Sequence, residues 1–170
     1  MNASVFPAEP TVAPPAKRVM RRRAADNPYF HRDFHGVLSA GLAYVESTYG
    51  DEAVPAFVRR FAHGYHAPLR QAMIAEGLAA LRRYLERVFT TEGAAYTIAE
   101  TPDSLTLDLA ADPVLRFLRE NHYAIARSFP TLDEHLYAAL CEETPWAFER
   151  TGYDPQTGAC RLRFFRRIAP

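Results

Sequence analysis

Thr101-Pro-Asp-Ser-Leu-Thr-Leu-Asp-Leu109 is the stretch in which the apolar period of this chain changes. Leu105, Leu107 and Leu109 alternate with Thr106 and Asp108, the two-residue period of a half-buried strand. Thr101-Pro102-Asp103 ahead of them has the composition of a turn that sends the chain back along residues 95–100. A hairpin is predicted here. Before it, apolar residues recur at steps of three and four.

Asn27-Pro28 is a good helix start, with an amide side chain to cap and proline at the first helical position. Phe30, Phe34, Val37, Leu38, Gly41, Leu42, Val45 and Tyr49 then form one stripe, which Gly50 ends. A second stripe follows Asp51 through Val54, Phe57, Val58, Phe61, Tyr65, Leu69 and Ala72. Gly64 and Pro68 are expected to bend or split that helix, because proline removes a helical hydrogen bond and crowds the preceding turn. A third helix runs from Gly77 through Leu78, Leu81, Leu85, Val88 and Phe89 to Glu92-Gly93.

After the hairpin, Asp112-Pro113 opens a short helix, and Thr131-Leu-Asp-Glu134 has the form of a capping box ahead of Leu136, Leu140 and Cys141. Trp146 and Phe148 alternate with polar or small neighbours, as do Cys160, Leu162 and Phe164, across a turn region from Gly152 to Gly158. The pattern predicts an α+β domain over residues 27–170, with N-terminal helices packed on one face of an antiparallel sheet built from two later hairpins. Residues 1–26, rich in Ala, Pro and Arg, are expected to form a disordered tail, since they offer nothing to bury.

Twenty basic and twenty acidic residues cancel, so no global charge draws the 170-residue chain to nucleic acid. No apolar run approaches the roughly 18 residues of a membrane span. Cys141 and Cys160 match no disulfide framework or zinc spacing, which points to free thiols and a cytoplasmic setting. The eight glycines are scattered as helix stops and turns and form no phosphate loop, and no cofactor is predicted. A small-molecule substrate is the expected partner, and a homo-oligomer is left open.

His31-Arg-Asp-Phe-His-Gly36 concentrates groups able to move protons or hold a metal. On a helix His31 and His35 lie about 40° apart, whereas Asp33 lies about 200° from His31. Asp33 therefore joins them only if the helix is irregular there, and otherwise serves as an N-cap. The histidine pair reads as an acid/base unit, as two metal ligands lacking a third, or as ordinary boundary histidines. Cys160 shares the inward parity of Leu162 and Phe164, so its thiol is either a core group or a nucleophile lining a pocket. Arg150 shares the parity of Trp146 and Phe148, and an inward arginine needs an anion, either a substrate carboxylate or a structural glutamate. Tyr65, beside the Gly64/Pro68 bend, is a substrate-binding candidate or a core tyrosine.

The motifs His31-Arg-Asp-Phe-His-Gly36, Tyr49-Gly-Asp-Glu-Ala53, Tyr65-His-Ala-Pro-Leu69, Phe89-Thr-Thr-Glu-Gly93 and Thr157-Gly-Ala-Cys-Arg-Leu-Arg-Phe164 come in an order and spacing that resembles the L-2-amino-thiazoline-4-carboxylic acid hydrolase family over residues 28–166. The resemblance implies addition of water at an amidine carbon, opening of a thiazoline-like ring and release of a thiol. It implies His31 or His35 as acid/base and Cys160 as nucleophile or proton donor. Arg150 as a carboxylate clamp comes from parity alone. The family pattern has a Cys-Pro and a further cysteine ahead of the late Gly-x-Cys, where this chain has Asp112-Pro113 and Thr131. That departure leaves two expectations: a hydrolase-like enzyme acting on a carboxylated C–N or C–S centre, or a catalytically silent ligand-binding or protein-interaction member of the fold.

Overall fold

The structure, a computed structural model, describes residues 32–167. The predicted tail, the Asn27-Pro28 helix start, His31 and the side chain of Asp33 lie outside them. The chain forms α1 (Arg32–Tyr49), a 3-10 turn (Asp51–Ala53), α2 (Val54–Tyr65), α3 (Ala67–Glu76) and α4 (Leu78–Thr91). It continues through β1 (Tyr96–Thr101), β2 (Ser104–Leu109), α5 (Pro113–Glu120), a second 3-10 turn (Phe129–Thr131), α6 (Leu132–Cys141), β3 (Trp146–Thr151) and β4 (Cys160–Arg166). The architecture is α+β, and the second predicted helix is split into α2 and α3 at His66.

All strand pairs are antiparallel in the order β1-β2-β4-β3, so the later hairpin inserts β4 between β2 and β3. Leu105, Leu107 and Leu109 stand opposite Phe164, Leu162 and Cys160, and all six are buried on the helix-covered face. Burying a leucine side chain contributes roughly 1.5–3 kcal/mol, which explains why this alternation sets the register. The other face is polar. There Arg161 holds Asp108 through two bonds of 2.7 and 3.1 Å and Arg163 holds Glu149 at 2.9 Å; at the strand end Arg166, on the parity of Leu162 and Phe164, lies over the Trp146 ring at 4.7 Å and holds Asp103 at 2.6 Å.

Two apolar clusters result. One joins the inner sheet face to α3, α4 and α6 through residues such as Met73, Leu81, Leu85, Leu140 and Phe164. The other joins α1, α2 and α5 through Leu42, Val58, Leu115, Leu118 and Phe129, and Leu136 of α6 packs against both. Among the described residues no helix is long and apolar enough to cross a membrane.

The stripe predicted for α1 is displaced. Phe34, Val37 and Tyr49 are exposed, while the buried line runs through Ser39, Leu42, Val45 and Glu46. The cause is the segment after α5. The Ser39 hydroxyl donates to the Ala124 carbonyl at 2.8 Å and accepts the Ala126 N–H at 3.0 Å. Glu46 accepts the N–H groups of Arg127 at 3.2 Å and Ser128 at 2.6 Å, and also the Ser128 hydroxyl. Two polar side chains face inward because an irregular segment brings its backbone donors to them.

Burial alone would raise the Glu46 carboxyl, but the bonds from Ser128 and Arg127 outweigh it and hold the group below its ordinary value. Its contribution is therefore full above that ordinary value and lost as pH falls through the lowered folded one. Glu46→Ala is expected to cost about 2–4 kcal/mol at pH 7, because the two N–H donors lose their acceptor. Urea unfolding of both proteins at pH 7 and pH 3 checks this; a difference that does not shrink in acid would refute the account.

Candidate functional site

A partly open cavity of about 230 Å³ lies where the first turn of α1, the α2/α3 break, α4, the N-termini of α5 and α6, and β3 converge. Its polar lining comes from His35, His66, Glu92, Asp112, Asp133 and Arg150, and aromatic rings make up much of the rest.

Asp112 is fixed from three directions. As the N-cap of α5 its carboxylate accepts the Val114 N–H at 2.8 Å. Its own N–H donates to the Thr157 carbonyl at 2.9 Å. Gly158, at φ +72°, lies so close that a Cβ added there would stand 2.4 Å from the Asp112 Cβ. The late Gly-x-Cys motif thus contributes its glycine to the site: only a residue without a side chain lets the β3–β4 connection approach this carboxyl.

Asp133 sits in the first turn of α6. The sequence reading of a capping box fails here, because Thr131 ends a 3-10 turn and its hydroxyl donates to the Ser128 carbonyl at 2.9 Å. Glu134, the fourth residue of that box, turns to Arg150. Asp133 faces the cavity and accepts no hydrogen bond from the described residues. Burial pushes its carboxyl up to about 7, the charge of Asp112 adds to the rise, and Arg150 opposes it. Asp112 is also raised, by burial, against the pull of the Val114 and Leu115 N–H groups and His35. The charge of Asp112 thus disfavours that of Asp133, and Glu92 adds to the rise at Asp112.

Around the pair stand groups whose polar atoms have no hydrogen-bond partner among the described residues. Tyr137 is 6% exposed, lines the cavity, and its hydroxyl has no hydrogen bond among the described residues. Burial raises its hydroxyl well above the usual phenol range and lifts that of Tyr84 to about 12, so both are neutral donors. His66 is also 6% exposed, and burial lowers its imidazole. Its ring meets Tyr65 edge-on at 4.9 Å and Tyr84 at 5.6 Å.

The candidates from sequence fare differently. His35 lines the cavity, with Nε2 3.2 Å from Glu92 Oε1 and its ring edge-on to Phe117 at 5.9 Å. Gly36 next to it lets the Tyr123 ring close over α1, where a Cβ would stand 2.5 Å from that ring. Tyr65 is 69% exposed and stacks on Phe61 at 5.2 Å, which makes it part of the cavity rim. Arg150 reaches the cavity wall, but its guanidinium already donates to the Pro130 carbonyl at 2.5 Å and to Glu134 at 3.1 Å, and lies over Tyr153 at 4.3 Å. Of the two anticipated partners of that arginine, a substrate carboxylate and a glutamate, the glutamate is the one in place.

Cys160 is not part of the cavity lining. It is buried beside Leu109 and Leu162 and borders a separate, open depression on the sheet surface. Burial pushes its thiol up to about 12, with the charge of Asp133 adding to the rise. Cys141 is raised to about 12 as well, by burial. Neither thiol is ionised near neutral pH. Among the described residues no group of three His, Cys, Asp or Glu side chains is arranged to hold a metal ion.

The residues that sequence reasoning missed are Asp133, His66, Tyr84 and Tyr137, and Asp112 was read as a cap alone. Comparison with known protein families and with curated proteins finds no match to this chain.

Two measurements test this geometry. Gly158→Ala is expected to destabilise the fold by about 1–3 kcal/mol through strain at positive φ and collision with Asp112, visible as a lowered urea midpoint. Ellman's reagent at pH 8 is expected to label both thiols at least about a hundredfold more slowly in the native chain than in urea; rapid labelling of either native thiol would restore a nucleophile.

Proposed function

We propose that this chain is a small hydrolase-like enzyme that adds water at a C–N or C–S centre of a small molecule, with Asp112 and Asp133 as a coupled acid/base pair. The observation that carries the reading is Asp133, a carboxyl held near pH 7 that opens on a cavity and has no hydrogen bond from the described residues. A group with that affinity for protons is matched to proton transfer at neutral pH. The motifs quoted above, with their likeness to the aminothiazoline-carboxylate hydrolases, support the same class of reaction. The position where that family carries Cys-Pro is Asp112-Pro113 here, so a carboxyl takes over a place in the cavity wall.

The reaction needs one proton on the pair. The ionised member takes a proton from water as its oxygen bonds to the electrophilic carbon. The protonated member gives its proton to nitrogen or sulfur as the C–N or C–S bond breaks. The pair ends with one proton and exchanged roles. Tyr137 and Tyr84, neutral donors on the same wall, stabilise the negative charge that develops on the substrate. Cys160 has no nucleophilic role in this scheme, since its thiol stays protonated.

A second reading is that the chain binds its ligand without turning it over, and the raised, buried thiols favour it. The cytoplasm is the compartment we infer for two free thiols. The paired arginines of the outer sheet face support a reading without nucleic acid.

Asp133→Asn separates the two functional readings. With a folded-state value raised to about 7, Asp133 takes stability away as pH rises from its ordinary unfolded value to about 7, and the loss levels off above that. The variant is expected to be more stable than the natural chain at pH 8, by about 1–3 kcal/mol, and equally stable near pH 4. Its turnover of a substrate found by metabolite screening is expected to fall by about 10²–10⁴. A screen with no turnover at all would leave binding as the function.

A further inference from the structure

The charge of the cavity identifies a ligand class. Three carboxyls, Asp112, Asp133 and Glu92, the last 3.2 Å from His35 Nε2, face the cavity together with one guanidinium, and that guanidinium is already paired with Glu134 at 3.1 Å and donates to the Pro130 carbonyl. An incoming carboxylate would have to displace Glu134 and then lie beside two acids. An incoming cation meets the opposite situation. The acid pair supplies its counter-charge, and the rings of Phe61, Tyr65, Tyr84 and Tyr137 line the way from the rim inward. Aromatic faces attract cations, most strongly where water is excluded. Two polar groups in the cavity lining, the Tyr137 hydroxyl and the His66 ring, each belong to side chains only 6% exposed that have no hydrogen-bond partner among the described residues.

We infer that the cavity takes a small organic cation, a protonated amine on an aromatic or similarly compact apolar body, with the ammonium group between Asp112 and Asp133 and the body against the tyrosine and phenylalanine rings. The inference rests on the reading of this cavity as the functional site and narrows it: the substrate is recognised through positive charge, and a carboxylate is not required. The ammonium then occupies the place of the proton that the acid pair otherwise shares, so binding releases that proton, and in turnover the ammonium N–H takes over from the protonated acid as donor to the departing nitrogen or sulfur while the ionised pair takes the proton from water. Asp133 is faced by Asp112 from the start of α5, by Arg150 from β3, by Tyr137 from its own helix, by Tyr84 from α4, by Tyr153 from the β3–β4 connection and by Cys160 from β4, and Asp112 is faced in addition by His35 of α1 and Glu92 at the end of α4. The tyrosines stay neutral over the range of the experiment, and Asp133→Asn separates the acid pair's share of the pH dependence from that of the other groups.

Benzylamine, benzyl alcohol and benzoate serve as probes of one shape and three charges. Calorimetric titration of the full chain is expected to show benzylamine binding at least tenfold tighter than benzyl alcohol at pH 8, and no saturable binding of benzoate. Benzylamine affinity is expected to rise about tenfold between pH 6 and pH 8 as the pair gives up its proton. Asp133→Asn is expected to weaken it at least tenfold and to flatten that pH dependence, and Asp112→Asn, which retains the helix cap, to weaken it similarly. Equal affinity for amine and alcohol, tighter binding of benzoate, or no saturable amine binding each overturns the inference. These are binding measurements, so they fail separately from the enzyme reading. Lost amine binding with turnover that depends on Asp133 removes the cation and keeps the hydrolase; amine binding with a blank metabolite screen does the reverse.

Discussion

The contact on which the cavity depends is the approach of Gly158 to Asp112. It joins the connection between β3 and β4 to the start of α5, so that a strand hairpin and a helix separated by some 45 residues share one hydrogen-bonded corner. The Thr157 carbonyl receives the Asp112 N–H, the Asp112 carboxylate receives the Val114 N–H, and the missing side chain at 158 lets both bonds form at once. The corner also explains why the carboxyl is buried. It cannot swing out to solvent without giving up its cap, and a group confined in this way is raised by desolvation even at a helix N-terminus, where the dipole favours charge.

Asp133 is constrained in a second way. Its helix starts directly after a 3-10 turn, so the usual capping side chain is busy behind it and the helix axis is aimed by the packing of Leu132 and Leu136. Leu136 touches both apolar clusters, which places the start of α6 on the seam between them. A cavity on a seam is a natural outcome of two cores that meet without filling the space between them.

The fold was legible because its signals are local. The period switch at Leu105–Leu109, the turn at Thr101-Pro102-Asp103, the split at Gly64/Pro68 and the Asp112-Pro113 cap each need only neighbouring residues to be read. The site was less legible for the opposite reason. Asp112 and Asp133 have the sequence signature of helix caps; that both reach one cavity depends on how α5 and α6 are aimed, which no spacing along the chain records. The α1 stripe misled in the same manner. Ser39 and Glu46 look like solvent-facing polar residues until the segment at 124–128 presents its N–H groups to them. Parity did place Cys160 and Arg150 inward correctly, but parity names a face and does not say whether that face meets core, cavity or a neighbouring glutamate.

The position of Cys160 shows what that distinction does to mechanism. A thiol and a carboxyl can both serve as acid and base, yet they answer burial with different consequences. Desolvation moves a thiol from near 9 to about 12, away from any physiological proton exchange. The same desolvation moves an aspartate from near 4 to about 7, into the middle of it. Desolvation in two different places therefore silences the cysteine and tunes the aspartate. Burial thus raises the carboxyls of Asp112 and Asp133 towards neutral pH by the same physics that takes a thiol away from it. The cost is a fold destabilised by its own buried charge, and the apolar layers on either side of the seam are what allow the protein to carry it.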